Sequence, residues 1–310
     1  MKIYILDAFH PAGIELAKKH AEVICWPDPA ISNWPEDADG LMVRMTPVTG
    51  DQIRQAKKLK VICKQGVGFE TIDVSSAHER GIPVCRTPGI NSEAVAEMAL
   101  ALSLDVARRT SRFDRMLRRG DKIVRPENLG IEMHGKTIGI VGMGNIGRNI
   151  AKKWIGAFDA KILALDPNAP SDRWSDIAHQ RCANLDELLP QVDLLSLHIP
   201  MRASNHHIIG AKELALMKPN AILINVSRGG LIDEAALFES LKKGHLFGAG
   251  LDVFEVEPPP SDYPLLSLEN VVTTPHAAGG TEETQVRSAL QVAQQVIDVL
   301  AGKSPTNAVI

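Results

Sequence analysis

Thr137-Ile138-Gly139-Ile140-Val141-Gly142-Met143-Gly144-Asn145-Ile146-Gly147, followed downstream by Ile162-Leu163-Ala164-Leu165-Asp166, decides the fold of this chain. It reads as a buried β-strand, a G-x-G-x-x-G turn, a helix, a second strand and an acid at that strand's end. The acid lies about 20 residues beyond the third glycine, the spacing of a dinucleotide-binding βαβ unit. Each part has a physical task. Gly142 makes the tight turn, Gly144 lets the backbone approach a pyrophosphate, and Gly147 lets the helix pack against the strand. The helix start, with Asn145 and Ile146, offers unpaired N–H groups and the positive dipole end to phosphates. Asp166 can accept hydrogen bonds from ribose hydroxyls and would repel a 2′-phosphate. The next residues, Pro167-Asn168-Ala169-Pro170, bring no Arg, so NAD is favoured over NADP.

Working outward, the 310 residues have room for two medium domains. A hydrophobic content of 45%, a charged content of 23% and a net charge of −3 describe an ordinary globular chain. They give no electrostatic case for nucleic acid or an anionic membrane. Cys25, Cys63, Cys85 and Cys182 show no C-x-x-C or zinc spacing, so unpaired thiols in a reducing cytoplasm are expected. No apolar run is long enough to span a bilayer, and the N-terminus lacks a signal-peptide core.

Apolar runs alternate with helical patterns almost throughout, which predicts parallel sheets built from βαβ units. The first set of strands is read at Ile3–Leu6, Gly40–Arg44, Val61–Lys64 and Pro83–Arg86, with amphipathic stretches at Ala12–Ala21 and Asp51–Leu59. A long helical pattern runs from Asn91-Ser92-Glu93 to about Arg119, with Ser92 as N-cap. Its second half holds Arg108, Arg109, Arg112, Arg115, Arg118 and Arg119. A solvated or subunit-contacting face is preferred over a polyanion site, because neither net charge nor aromatic residues support the latter. The second set of strands is Thr137–Gly142, Lys161–Asp166, Leu194–Ile199, Ala221–Val226, Ala249–Val253 and Val271–Thr274, with Thr284–Leu300 as a closing helix. Six strands fit a doubly wound fold.

In open α/β sheets, functional residues lie beyond the carboxyl ends of strands. Three such ends here carry Arg228, Glu257 and His276. With these blocks in view, the chain resembles the D-isomer-specific 2-hydroxyacid dehydrogenase family. The matching stretches are VRMTPVT (43–49), KQGVGFETID (64–73), NSEAVAE (91–97), GIVGMGNIG (139–147), NVSRGGLIDE (225–234), GLDVFEVEP (250–258) and TPHAAGGT (274–281).

The resemblance implies two Rossmann-like or flavodoxin-like α/β domains with a cleft between them. The substrate domain would be 1–98 completed by 284–310, the NAD-binding domain 99–283, with hinges near Asn91–Ala99 and Gly280–Thr284. It implies NAD-dependent hydride transfer between a D-2-hydroxy acid and its 2-keto acid. His276 would be the acid/base. Glu257 would orient it, being placed by the family's D-V-F-x-x-E-P pattern ahead of its neighbour Glu255. Arg228 would pair with the substrate carboxylate through its planar fork.

On the cofactor side the resemblance adds Ile199 and Pro200 near the adenosine and Val226 and Ser227 near the nicotinamide. Arg228, His276 and Gly279 line the same side, and Asp252 lies on the carboxamide. Asp252 is also open to a structural role, which would require backbone donors. In the first domain, Gly66-Val67-Gly68 would aim N–H groups at the substrate carboxylate, and Arg44 and Lys64 would meet a distal group. The chain departs from the family in a VRMTPVT block one residue short and in Glu70-Thr71 where Asp-Asn is usual. A homodimer is expected. With the chain ending at Ile310, no C-terminal regulatory domain and no serine feedback are expected. The specific alternatives are 3-phosphoglycerate dehydrogenase and glyoxylate/hydroxypyruvate reductase. An NAD(H)-sensing binding protein is the alternative from another class.

Overall fold

Parallel strands buried on both faces must be nearly continuous apolar runs, and the short runs of this chain build two such sheets. The computed structural model describes residues 1–309. It consists of two compact units, Met1–Asn91 with the segment from Gly280 onward, and Ser92–Gly279. The junctions expected at 98/99 and 283/284 fall inside helices, whereas the observed ones leave each of those helices whole.

The first unit runs β1 (Lys2–Ile5), α1 (Pro11–Lys18), β2 (Glu22–Cys25), α2 (Trp34–Asp37), β3 (Gly40–Val43), α3 (Gly50–Gln55), β4 (Val61–Lys64), α4 (Val74–Glu79) and β5 (Val84–Cys85). The strand order is β2-β1-β3-β4-β5, all parallel, as in flavodoxin-like sheets. Alternation along the strands fills two layers. Tyr4, Leu41, Val43 and Ile62 pack with Trp34, Ile53 and Ala77 on one face. Ile3, Ile5, Met42 and Val61 pack on the other with Ala17, Ala289, Val292, Ala293 and Val296.

The second unit runs α5 (Ser92–Arg108), α6 (Thr110–Arg119), β6 (Thr137–Val141), α7 (Asn145–Phe158), β7 (Lys161–Leu165), β8 (Gln180–Arg181), α8 (Leu185–Leu188), β9 (Leu194–Leu197), α9 (Ala211–Leu216), β10 (Ile222–Asn225), α10 (Glu234–Lys242), β11 (Gly248–Leu251) and β12 (Val271–Thr273). The chain then returns to the first unit as α11 (Glu282–Leu300). Thr281 caps α11 through the Thr284 N–H, and Glu282 and Glu283 fill its first turn, where the helix dipole favours acids. The seven-stranded order is β12-β11-β10-β9-β6-β7-β8. This is the doubly wound arrangement with one strand more than the six expected, and β8 is the strand the sequence reading lacked. Residues Val95, Leu102, Val106, Ile150 and Trp154 of α5 and α7 enter the core with Ile138, Ile140, Ile222 and Ile224.

The single long helix expected from Asn91 to Arg119 is two helices. The chain breaks at Arg109, whose φ is +56°. The Asp105 carboxylate accepts hydrogen bonds from the Ser111 N–H and from the Thr110 and Ser111 hydroxyls. The Arg109 guanidinium lies 4.7 Å from the Phe247 ring centroid. Beyond the break, Arg118 pairs with Asp114, and Arg119 with Asp121 and Glu269, so much of the basic run is locally neutralised.

Candidate active site

The seven-stranded sheet reverses its winding between β6 and β9, and the loops after these two strands meet there. Gly142, with φ +105°, has no space for a side chain: a Cβ would collide with the His198 carbonyl oxygen. A Cβ on Gly147 would collide with the Gly142 carbonyl oxygen, so the helix start packs directly on the turn. Gly144 differs, because nothing lies within 4 Å of its Cβ position. As the N-cap of α7 it brings no side-chain hydrogen bond to the first turn. Open space over a helix N-terminus is the cradle that a pyrophosphate requires. The residues present therefore fit a dinucleotide.

Asp166 follows β7. One carboxylate oxygen accepts the Met143 N–H at 2.9 Å and the other the Asn168 N–H at 3.1 Å, so the acid ties the glycine-rich turn to its own loop. The residues immediately after Asp166 include no arginine, but the fold brings two. Arg181 donates to the carbonyls of Asp166, Ala169 and Pro170, and Arg173 donates to the Met143 carbonyl at 2.9 Å. Reading only the adjacent sequence missed both. Ile199 is half-buried, Pro200 exposed, Val226 and Ser227 buried and Gly279 half-buried.

The other chemistry-bearing residues follow three neighbouring strands, β10, β11 and β12. Asn225, buried at the end of β10, accepts the Ser227 N–H at 3.0 Å and donates to the Arg228 carbonyl at 2.9 Å. It sets the turn that carries Arg228. The sequence reading missed this residue, whose signal is a polar side chain ending an apolar strand. A Cβ on Gly229 would overlap the Phe254 carbonyl oxygen, so the Arg228 turn rests on the loop after β11. In that loop one Glu257 oxygen accepts the Phe254 N–H at 3.1 Å, and the other accepts from His276 Nδ1 at 2.7 Å.

An ionised carboxylate can only accept, so Nδ1 carries the hydrogen and Nε2 is the nitrogen left for a substrate. The His276 side chain is 48% exposed, which leaves it reachable. Its φ of +51° is the left-handed conformation, which costs a non-glycine residue roughly 1–2 kcal/mol. Asp252 offsets that cost. Fully buried, it accepts the Ala277 and Ala278 N–H groups at 2.8 and 3.0 Å and the Thr274 hydroxyl, while its carbonyl accepts the His276 N–H at 2.8 Å. The backbone donors that a structural role would require are thus present.

In the first unit, Asp7 accepts the Arg44 N–H at 2.6 Å and the Thr46 N–H at 3.0 Å, leaving the Arg44 residue exposed. Lys64 does not present its ammonium as expected. It is 6% exposed and donates to the Arg44 carbonyl. Burial pushes its pKa down, against the pull of nearby Asp7 and Glu70. Gly66 does not offer a free donor either, since its N–H goes to the Thr87 hydroxyl at 2.8 Å. Val67 and Gly68 are the remaining donors of that turn. The Glu70 carboxylate stands over it, in the space that a Gly68 Cβ would need.

The description "D-isomer specific 2-hydroxyacid dehydrogenase, NAD binding domain" matches residues 100–278. The glyoxylate reductase of Korarchaeum cryptofilum is 38% identical, over 99% of this chain and 95% of its own length. The D-3-phosphoglycerate dehydrogenase of Methanocaldococcus jannaschii is 41% identical over 100% of this chain, which spans 59% of that protein. The crystal structure of the TT0316 protein from Thermus thermophilus superposes with a TM-score of 0.90 at 36% identity, covering 100% of both chains. The chain belongs to the D-isomer-specific 2-hydroxyacid dehydrogenase family. By that membership it is an NAD-dependent oxidoreductase acting on CH–OH groups.

Proposed function

We propose that this enzyme interconverts a short D-2-hydroxy acid and its 2-keto acid, with His276 as acid/base. The bonding of His276 Nδ1 to Glu257 at 2.7 Å carries this reading, because it leaves Nε2 as the proton-transfer atom. In reduction, imidazolium Nε2–H protonates the oxygen on C2 as hydride arrives there. In oxidation, neutral Nε2 removes that proton. When bound, the cofactor would supply the hydride as NADH in reduction and accept it as NAD+ in oxidation. Arg228 is the residue of the second unit that receives the substrate carboxylate, and in the first unit the Val67 and Gly68 N–H groups are the donors offered to substrate.

Ile199 and Pro200 flank the adenosine, Asp166 holds the ribose hydroxyls, and Val226, Ser227 and Gly279 face the nicotinamide side. The distal substituent falls to exposed Arg44 rather than Lys64, which favours an anionic group such as a carboxylate, phosphate or sulfonate. Asp252 acts by holding the His276 turn. Four free thiols, three of them buried, support a reducing cytoplasm. An apolar groove along α5 and α7, lined by Leu100, Ala101, Leu104 and Gly156, supports a homodimer.

The test is NADH oxidation across glyoxylate, hydroxypyruvate, hydroxypyruvate phosphate, pyruvate and sulfopyruvate. One or more members should turn over, and His276→Ala should lower kcat by about 100-fold or more. Retained turnover in that variant overturns the assignment of His276. NADH binding without turnover on any member would favour an NAD(H)-sensing role.

A further inference from the structure

We propose that His206, His207 and Glu255 form a binding site for a divalent transition-metal ion of the zinc class, separate from the machinery of hydride transfer. One donor atom from each residue lies within 4.8 Å of the other two. Consecutive side chains on an extended chain point to opposite faces. Here His207 takes the left-handed conformation, with φ +52°, and its ring stacks on His206 at a centroid distance of 3.7 Å and an interplanar angle of 27°. The turn thus gathers two imidazoles on one side. His207 Nε2 already bonds the Glu255 carboxylate.

The backbone beneath each arm of the cluster is fixed. The His207 N–H donates to the Gly230 carbonyl at 2.7 Å. Asn205 closes the turn from the other side, accepting the Arg202 N–H at 2.6 Å and donating to the Pro200 carbonyl at 2.8 Å. The Glu255 N–H donates to Glu234 at 3.0 Å, and Glu234 is held in turn by the Tyr263 hydroxyl. A Cβ at Gly230 would come within 3.3 Å of the His206 ring, so a glycine there leaves the ring its place.

Two imidazole nitrogens and one carboxylate oxygen are the donor set of zinc, nickel or copper, whereas magnesium and calcium require oxygen donors. Three protein donors leave a fourth position to water. His206 and Glu255 are exposed, and His207 is partly so, which leaves the three donors open to an ion from solvent. Metal binding replaces the existing His207–Glu255 hydrogen bond and joins the 202–207 turn to the loop after β11. It asks nothing of Glu257 or His276.

The experiment is titration of the full chain with zinc ion alone, read by competition with a chromogenic chelator, and with cobalt ion, read by its visible ligand-field bands. One ion per chain is expected. His206→Ala, His207→Ala and Glu255→Gln should each weaken zinc binding by about tenfold or more and abolish the cobalt bands. Unchanged circular dichroism and NADH binding in the variants would show that the fold is intact. Absence of binding in the unaltered chain overturns the proposal. So does an isotherm that all three substitutions leave unchanged, which would put the ion on another donor such as Cys25.

Discussion

At the scale of single residues, a carboxylate without exposed surface sits directly behind His276. Asp252 gathers two N–H groups and a hydroxyl from residues 274–278 and so holds the imidazole turn in its left-handed shape. Asp252→Ala would strand those donors in the interior. Each stranded donor costs roughly 1–3 kcal/mol, so about 3 kcal/mol of stability should disappear along with most activity. Urea unfolding measures this, and a loss under about 1 kcal/mol would show that the turn holds itself. The sequence presented the acid but left its role open, because its partners lie more than twenty positions further on. Lys64 failed for the complementary reason. Its position at a strand end was legible, whereas the Arg44 carbonyl that absorbs its ammonium belongs to the neighbouring strand's loop.

At the scale of elements, the strand–turn–helix around Gly142 separates two kinds of glycine. Gly147 has the Gly142 carbonyl against it, so Gly147→Ala must push α7 off the turn and should lower stability by roughly 1–3 kcal/mol, visible as a fall in Tm. Gly144 faces open space. Gly144→Ala should leave Tm nearly unchanged and raise the Kd for NADH about tenfold or more, since one lost charge-assisted hydrogen bond accounts for that much. Calorimetric titration with NADH checks it, and an unaltered Kd would remove the phosphates from this turn.

The buried strands were legible as apolar runs, and their ends were read to within a few residues. β2 and β8 were not. β2 is an edge strand without a fully buried residue, and β8 is two polar residues at the other sheet's edge. The break at Arg109 left no local mark either. It depends on Asp105 turning to Thr110 and Ser111, and on Phe247, which arrives from far along the chain.

At the scale of the whole molecule, stability should carry the imprint of one histidine. His198 follows β9, with Nε2 on the Ser196 hydroxyl at 2.9 Å and Nδ1 shielded from water without a partner. Burial lowers its pKa from 6.5 to about 3. The unfolded chain therefore takes up a proton near pH 6.5 that the folded chain refuses. Stability falls as pH drops from about 6.5 toward 3, by at most about 1.4 kcal/mol per pH unit from this group, and the group contributes no pH dependence above that window. Urea midpoints between pH 7 and pH 4 should decline more steeply for the unaltered enzyme than for His198→Asn. Parallel declines would mean that the imidazole is protonated in the fold.

The division of the chain also sets an order of assembly. Residues 92–279 form one uninterrupted unit, while the other is drawn from the segments on either side of it. During synthesis the enclosed unit has all its strands before α11 has left the ribosome. The first 91 residues meanwhile carry a sheet whose face of Ile3, Ile5, Met42 and Val61 lacks Ala289, Val292, Ala293 and Val296. Chain growth normally lets the N-terminal domain fold first. Here the segment made before the enclosed unit has one face of its sheet covered only after that unit is complete.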